Sequence, residues 1–222
     1  MHVLKRFSKS VGLFFHFVHA AWQLARGYWK ISRLPRPMAS IFGGAKLPQT
    51  DIYAQQAYTL AKMFSDANIS VLTGGGPGIM EAASRGALKN TIGIGVSNFD
   101  EERNPHLQEY FSMRSFLPRK WLLTHYSDAY VVFPGGFGTL DELAEVITLI
   151  QTDQIPGIPV VMIGVEYWKP FITWLTDEAV EHGLVRPSSM KLFSLTDDLQ
   201  EAFKIICDKC AANGLKIDEK KG

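Results

Sequence analysis

The stretch that most limits what this chain can become is Pro134-Gly135-Gly136-Phe137-Gly138-Thr139-Leu140-Asp141-Glu142. Residues 128–133 ahead of it are short, apolar and rich in valine and aromatics, while Leu143, Val146, Ile147 and Ile150 behind it recur at helical spacing. The order is therefore strand, glycine loop, helix. Glycines let backbone N–H groups turn inward, and the helix that follows adds the positive end of its dipole, so together they make a seat for a phosphate. Glu142 stands beside that seat. An acid next to an anion site is electrostatically awkward in the way functional groups often are.

The same order repeats along the chain. Residues 38–42 read as a buried strand, followed by the turn Gly43-Gly44-Ala45-Lys46 and a helix over 51–67. Residues 69–73 read as a strand closed by Gly74-Gly75-Gly76-Pro77-Gly78 and a helix over 79–89. A strand over 91–96 follows, and from 97 to 118 the pattern dissolves for longer than an ordinary connection, which marks a candidate functional loop. A helix over 119–127, the strand 128–133, a helix over 139–151, a strand over 159–163, a helix over 167–181, a short strand over 192–195 and a helix over 197–211 complete the series. Strands alternating with helices predict an α/β fold: a Rossmann-like, doubly wound parallel sheet in three α/β/α layers with right-handed crossovers. Ligands bind beyond the carboxyl ends of such strands, and all three glycine loops fall there.

With 222 residues, 46% of them hydrophobic, the chain can bury one good core. One soluble domain over 38–212 is expected, with an extension over 1–37 and a flexible, lysine-rich tail over 213–222. A net charge of +1 supplies no field for gripping a nucleic-acid polymer, yet it suits a small anion bound locally. Cys207 and Cys210 share the apolar face of a helix with Phe203 and Ile206. Redox C-x-x-C pairs usually open a helix after a strand, and zinc needs further ligands nearby, so two buried thiols are expected instead. A chain without a disulfide framework suits a reducing, cytoplasmic setting.

Residues 1–37 hold no acidic residue, but Lys5, Arg6, Lys9, Arg26, Lys30, Arg33 and Arg36 are all basic. Val11, Phe14, Phe15, Val18, Ala21, Trp22, Ala25 and Trp29 follow a helical period, giving an amphipathic helix with aromatics on one side. The uncharged run 11–25 is too short for a comfortable membrane span. The leading expectation is that the aromatic face packs on the domain or on a second subunit. Weak contact with an anionic membrane surface and an organellar transit peptide are the other readings. Pro35 and Pro37 mark the boundary.

The dinucleotide fingerprint G-x-G-x-x-G is absent, as is the triphosphate loop G-x-x-x-x-G-K-[ST]. No Ser, Cys or His sits in a nucleophile elbow, and His106 and His125 are single histidines. What is left is a mononucleotide-sized pocket with one phosphate seat and one carboxylate. From spacing alone, Thr139-x-x-Glu142 also reads as a capping box, with Thr139 capping the helix and Glu142 bonding back. Glu145, one turn on, is either a neighbour in the site or a surface acid. Met80, Met113, Phe116 and Trp121 are candidates for the base pocket or the core.

Gly74-Gly75-Gly76-Pro77-Gly78-Ile79-Met80-Glu81, Arg119-Lys120 and the opening motif resemble the signature of the LOG (Lonely Guy) family, long mislabelled as lysine decarboxylases. The similarity runs from about residue 38 to residue 211. The resemblance implies a phosphoribohydrolase that cuts the N-glycosidic bond of a nucleoside 5'-monophosphate, of the AMP or cytokinin riboside type, into free base and ribose 5-phosphate. It implies Arg119 and Glu142 as catalytic residues. Gly74, Gly75, Gly76, Glu102, Lys120, Gly135, Gly136, Gly138 and Thr139 would hold substrate and phosphate. It also implies a homodimer or higher homo-oligomer, no cofactor and no metal. Relatives that bind molybdenum cofactor without known hydrolysis mark the alternative, a non-catalytic nucleotide or cofactor carrier. No lysine stands in a pyridoxal-binding setting that would justify the decarboxylase label.

Overall fold

A computed structural model describes residues 2–97 and 102–217. Helix α1 (His2–Ile31) leads into β1 (Met38–Phe42), followed by α2 (Ile52–Asp66), β2 (Ser70–Thr73), α3 (Ile79–Ala87), β3 (Thr91–Val96) and β4 (Glu109–Met113). Then come α4 (Phe116–His125), β5 (Ala129–Val132), α5 (Phe137–Gln151), β6 (Val160–Ile163), α6 (Val165–Trp174), β7 (Ser194–Thr196) and α7 (Leu199–Ala212). The seven strands form one sheet in the order β4-β3-β2-β1-β5-β6-β7. Every neighbouring pair is parallel. The order reverses between β1 and β5, the switch point at which such sheets open a crevice.

Each central strand is buried on both faces and feeds two cores by strict alternation. Ala39, Ile41, Ala129, Val131 and Phe133 pack against α2, α3 and α7. Met38, Phe42, Tyr130 and Val132 pack on the other face with Leu122, Leu123, Leu143, Val146 and Trp168 from α4, α5 and α6. Strands covered on both sides read as continuous apolar runs, which is why these were legible.

Asp128 ties the two switch-point strands together. Its carboxylate accepts the Met38 N–H at 2.9 Å and Arg36 Nε at 3.1 Å, and Arg36 Nη2 reaches its other oxygen. Replacing Asp128 by Ala strands a buried N–H, so urea unfolding at neutral pH should show a loss of about 2 kcal/mol. Cys210 is buried nearby, its Sγ 3.8 Å from the Asp128 carbonyl oxygen. Burial first, and then the Asp128 charge, push its thiol up to about 12. Neither cysteine is in a disulfide, and Cys207 is half-buried.

Three expectations are corrected. The region 97–118 contains β4, an edge strand beside β3. Of its side chains, Phe111 and Met113 are buried and Ser112 is exposed, so no apolar run announces it. Helix α4 begins at Phe116 rather than Arg119, because Pro118 falls in its first turn, where a missing N–H has no partner to lose.

The third correction concerns α1. Its inner side carries Leu24 and Ile31, packed on the α4 side of the sheet, and Gly27, where an added Cβ would meet Met113 and Phe111 at 3.0 Å. Lys30 pairs with Glu109 at 2.9 Å, and Gln23 Oε1 accepts the Arg114 N–H at 3.3 Å. Of the two covers expected for the aromatic side, the domain or a second subunit, the domain is not one: Trp22 is 56% exposed and Trp29 is 55% exposed. Close approach at Gly27 selects the small side of the helix for docking. At the other end of the chain, Leu215 and Ile217 pack against the α2 and α7 core, while 218–222 lie outside the described residues.

Candidate active site

The loops that leave β1, β2 and β5 touch one another at the carboxyl edge of the sheet. The Gly44 N–H donates to the Pro134 carbonyl at 2.9 Å, the Ile79 N–H donates to the Gly44 carbonyl at 3.1 Å, and Gln49 Nε2 donates to the Gly78 carbonyl at 3.0 Å. Gly135 is required by this crowding, since a Cβ there would lie 2.9 Å from the Gly44 nitrogen and overlap Thr139 Oγ1. Tyr167, in the first turn of α6, donates its hydroxyl to the Gly135 carbonyl at 2.6 Å.

Helix α5 opens at Phe137 with Gly136 as its N-cap and no side chain closing the end. Thr139 is therefore the third helical residue, buried, and the capping-box reading of Thr139 and Glu142 does not hold. A Cβ at Gly136 or Gly138 meets nothing within 4 Å, so open space lies in front of the helix start. Four N–H groups of a helix's first turn have no intrahelical acceptor, and here they border a space large enough to admit a ligand oxygen.

Arg119, on α4, reaches the same edge from the neighbouring strands. Its Nε donates to the Ile94 carbonyl at 2.8 Å, and its guanidinium lies so close to Gly74 that a Cβ there would overlap Nη2. Met80 Sδ would lie 2.7 Å from that same Cβ. Nη2 stands 4.0 Å from Glu142 Oε1, with the two side chains 12% and 14% exposed. The two residues expected to act together thus face one another in a shielded setting. Phe116 is 47% exposed, with Arg119 Cζ 5.7 Å from its ring centre.

Lys120, expected to hold substrate or phosphate, bridges to α5. Its Nζ lies 2.8 Å from Glu145 Oε2 and 2.9 Å from Asp141 Oδ2, so its immediate partners are protein carboxylates rather than open space for a substrate. Burial alone would lower its pKa, but the hydrogen bonds and charges of Glu145 and Asp141 outweigh that and hold it above the usual lysine value. The lysine is thus fully charged at neutral pH, and its share of the bridge is lost as pH rises past the ordinary lysine range.

Gly74, Gly75 and Gly76 are buried in the β2 loop. The Gly75 carbonyl accepts the Asn104 N–H at 3.0 Å, and Asn104 Nδ2 donates to the Met80 carbonyl at 3.2 Å, latching the following segment over that loop. Glu102 is exposed and adjoins 98–101, which lie outside the described residues. Met113 belongs to the core, and Trp121 stacks on His125 with ring centres 4.7 Å apart. The sequence offered no sign of Asn104. Tyr167 had one faint signal, its place just behind the end of a buried strand.

Residues 78–206 match the family model described as "Possible lysine decarboxylase". The chain is 30% identical over 168 residues to a protein of Oryza sativa subsp. japonica named probable cytokinin riboside 5'-monophosphate phosphoribohydrolase, covering 72% of this chain and 68% of that protein. It is 27% identical over 193 residues to a cytokinin riboside 5'-monophosphate phosphoribohydrolase of Arabidopsis thaliana, covering 82% and 84%. Among solved structures, the molybdenum cofactor binding protein of Rippkaea orientalis superposes with a TM-score of 0.57 at 22% identity over 79% of this chain and 98% of that chain. That last likeness is one of fold.

Proposed function

Since the chain belongs to the LOG (Lonely Guy) family, the one whose model bears the lysine decarboxylase description, we propose that it is a phosphoribohydrolase acting on nucleoside 5'-monophosphates. The observation that carries this reading is the shielded Arg119–Glu142 pair beside an uncapped helix start.

In this mechanism the amides of Gly136 and Gly138 and the Thr139 residue hold the 5'-phosphate, and this remote binding fixes the sugar at the reacting centre. Breaking the C1'–N bond builds positive charge on the ribose, as in glycoside hydrolysis. The Glu142 carboxylate stabilises that charge and directs a water molecule to C1'. One bond to nitrogen breaks, one to oxygen forms, and the departing base receives a proton. Arg119 fixes the carboxylate through Nη2 while its own Nε stays on Ile94. Phe116 and Met80, both beside Arg119, flank the base. Glu102 remains a proposed contact to the substrate, and Lys120 a positioning residue.

The test is to incubate the protein with each nucleoside monophosphate and measure free base and ribose 5-phosphate. Release from AMP or a cytokinin riboside monophosphate is expected, with none from the unphosphorylated nucleoside. Tight binding without release would favour the carrier reading, which rests on likeness of fold alone.

The open space at two of the loop glycines supplies a second check. Gly136→Ala and Gly138→Ala meet no protein atom, so thermal unfolding should be unchanged while KM for the nucleotide rises about tenfold as the methyl group enters the phosphate's place. Gly135→Ala, which collides with its own loop, should lower both activity and stability.

A further inference from the structure

The outer side of α1 takes no part in the site. Val18, Trp22 and Trp29 are 50%, 56% and 55% exposed, and Ala25 between them is exposed as well. Their steps of four, three and four residues place them along one side of the helix, opposite the side that docks through Leu24, Gly27 and Ile31. A row of large apolar groups of this kind marks a surface that something covers.

Charge identifies what covers it. Residues 1–37 contain seven basic side chains and no acidic one. Lys30 and Arg36 are turned to Glu109 and Asp128 of the domain. Arg26 and Arg33 instead lie over the rings of Trp22 and Trp29, 5.5 and 3.4 Å from the ring centres, so cations border the aromatic row itself. Two copies docked row to row would set cations against cations with no acid in the segment to answer them. A lipid surface rich in anionic headgroups answers both arginines at once.

We propose that α1 lies on an anionic bilayer surface, with Trp22 and Trp29 at headgroup depth and the flanking arginines on lipid phosphates. Among the described residues no helix is long and apolar enough to cross a membrane, so the contact lies in the plane of the surface. The geometry leaves room for it. Helix α1 runs antiparallel to β4, with Lys30 level with Glu109 at the strand's start and Gln23 level with Arg114 just past its end. The residues before Gln23, about 30 Å of helix at ~1.5 Å per residue, therefore continue past the carboxyl edge of the sheet.

The experiment uses the full chain and sedimentable vesicles, either of phosphatidylcholine alone or of phosphatidylcholine and phosphatidylglycerol in equal parts. At least about tenfold more protein should pellet with the anionic vesicles, and the difference should shrink as salt is raised. Trp22→Ser with Trp29→Ser, and separately Arg26→Glu with Arg33→Glu, should each lower binding about tenfold. Both double variants should keep the wild-type circular dichroism and thermal midpoint, since these side chains face away from the core. The proposal is overturned if the protein pellets equally with neutral vesicles, pellets with neither, or binds unchanged in either double variant. It is also overturned if the protein elutes as an oligomer that the tryptophan variant returns to monomer, which would make a second copy the cover. None of these results depends on the nucleosidase reading.

Discussion

Glu142→Gln should release base from AMP about a thousandfold more slowly than the wild type, with the loss in kcat and little change in KM. The substitution keeps the shape of the side chain and removes only its charge. Helix α5 is held by Leu143, Val146 and Ile150, all buried, so the helix keeps its place in the variant. The phosphate seat is at the helix start, about a turn away, so binding of the nucleotide is retained or slightly tightened when a neighbouring negative charge is removed. Steady-state kinetics together with calorimetric titration of AMP separates the two effects. A variant that turns over at the wild-type rate would remove Glu142 from the chemistry and return it to the role of a shielded partner for Arg119.

Arg119→Lys should lower kcat/KM about 100-fold although the charge is conserved. The guanidinium does two things at once: Nε donates to the Ile94 carbonyl, and Nη2 stands 4.0 Å from Glu142 Oε1. Lysine offers a single ammonium on a flexible stem and cannot hold both. Whichever contact it keeps, the carboxylate loses its fixed orientation or the base loses its neighbour. A misplacement of about 1 Å at a reacting centre is enough for a loss of this size. The thermal midpoint should move little, since Lys120 still joins α4 to α5. Full activity in Arg119→Lys would show that only the positive charge matters.

The central strands and the three glycine loops were legible because each is a strong local signal. A strand buried on two faces has no polar positions, and a turn packed against other loops has no room for side chains. The pair Arg119 and Glu142 was legible through family resemblance, because neither residue's spacing alone separates catalysis from capping or from a solvated helix. The edge strand β4 was lost because half of its residues face other surroundings, so the signal that reveals a central strand is diluted there. The partners of Lys120 were hidden for a related reason. Asp141 and Glu145 are on the next helix, beyond an intervening strand, and no local pattern shows which carboxylates a lysine will meet. The orientation of α1 turned on Gly27: periodicity finds the two sides of a helix, and contact distance decides which side docks.

Because one ammonium joins both Asp141 and Glu145 on either side of Glu142, the walls that carry the guanidinium and the carboxylate are braced before any nucleotide arrives. On the proposed function, selectivity among bases then comes from what fits this standing frame rather than from what draws the two helices together.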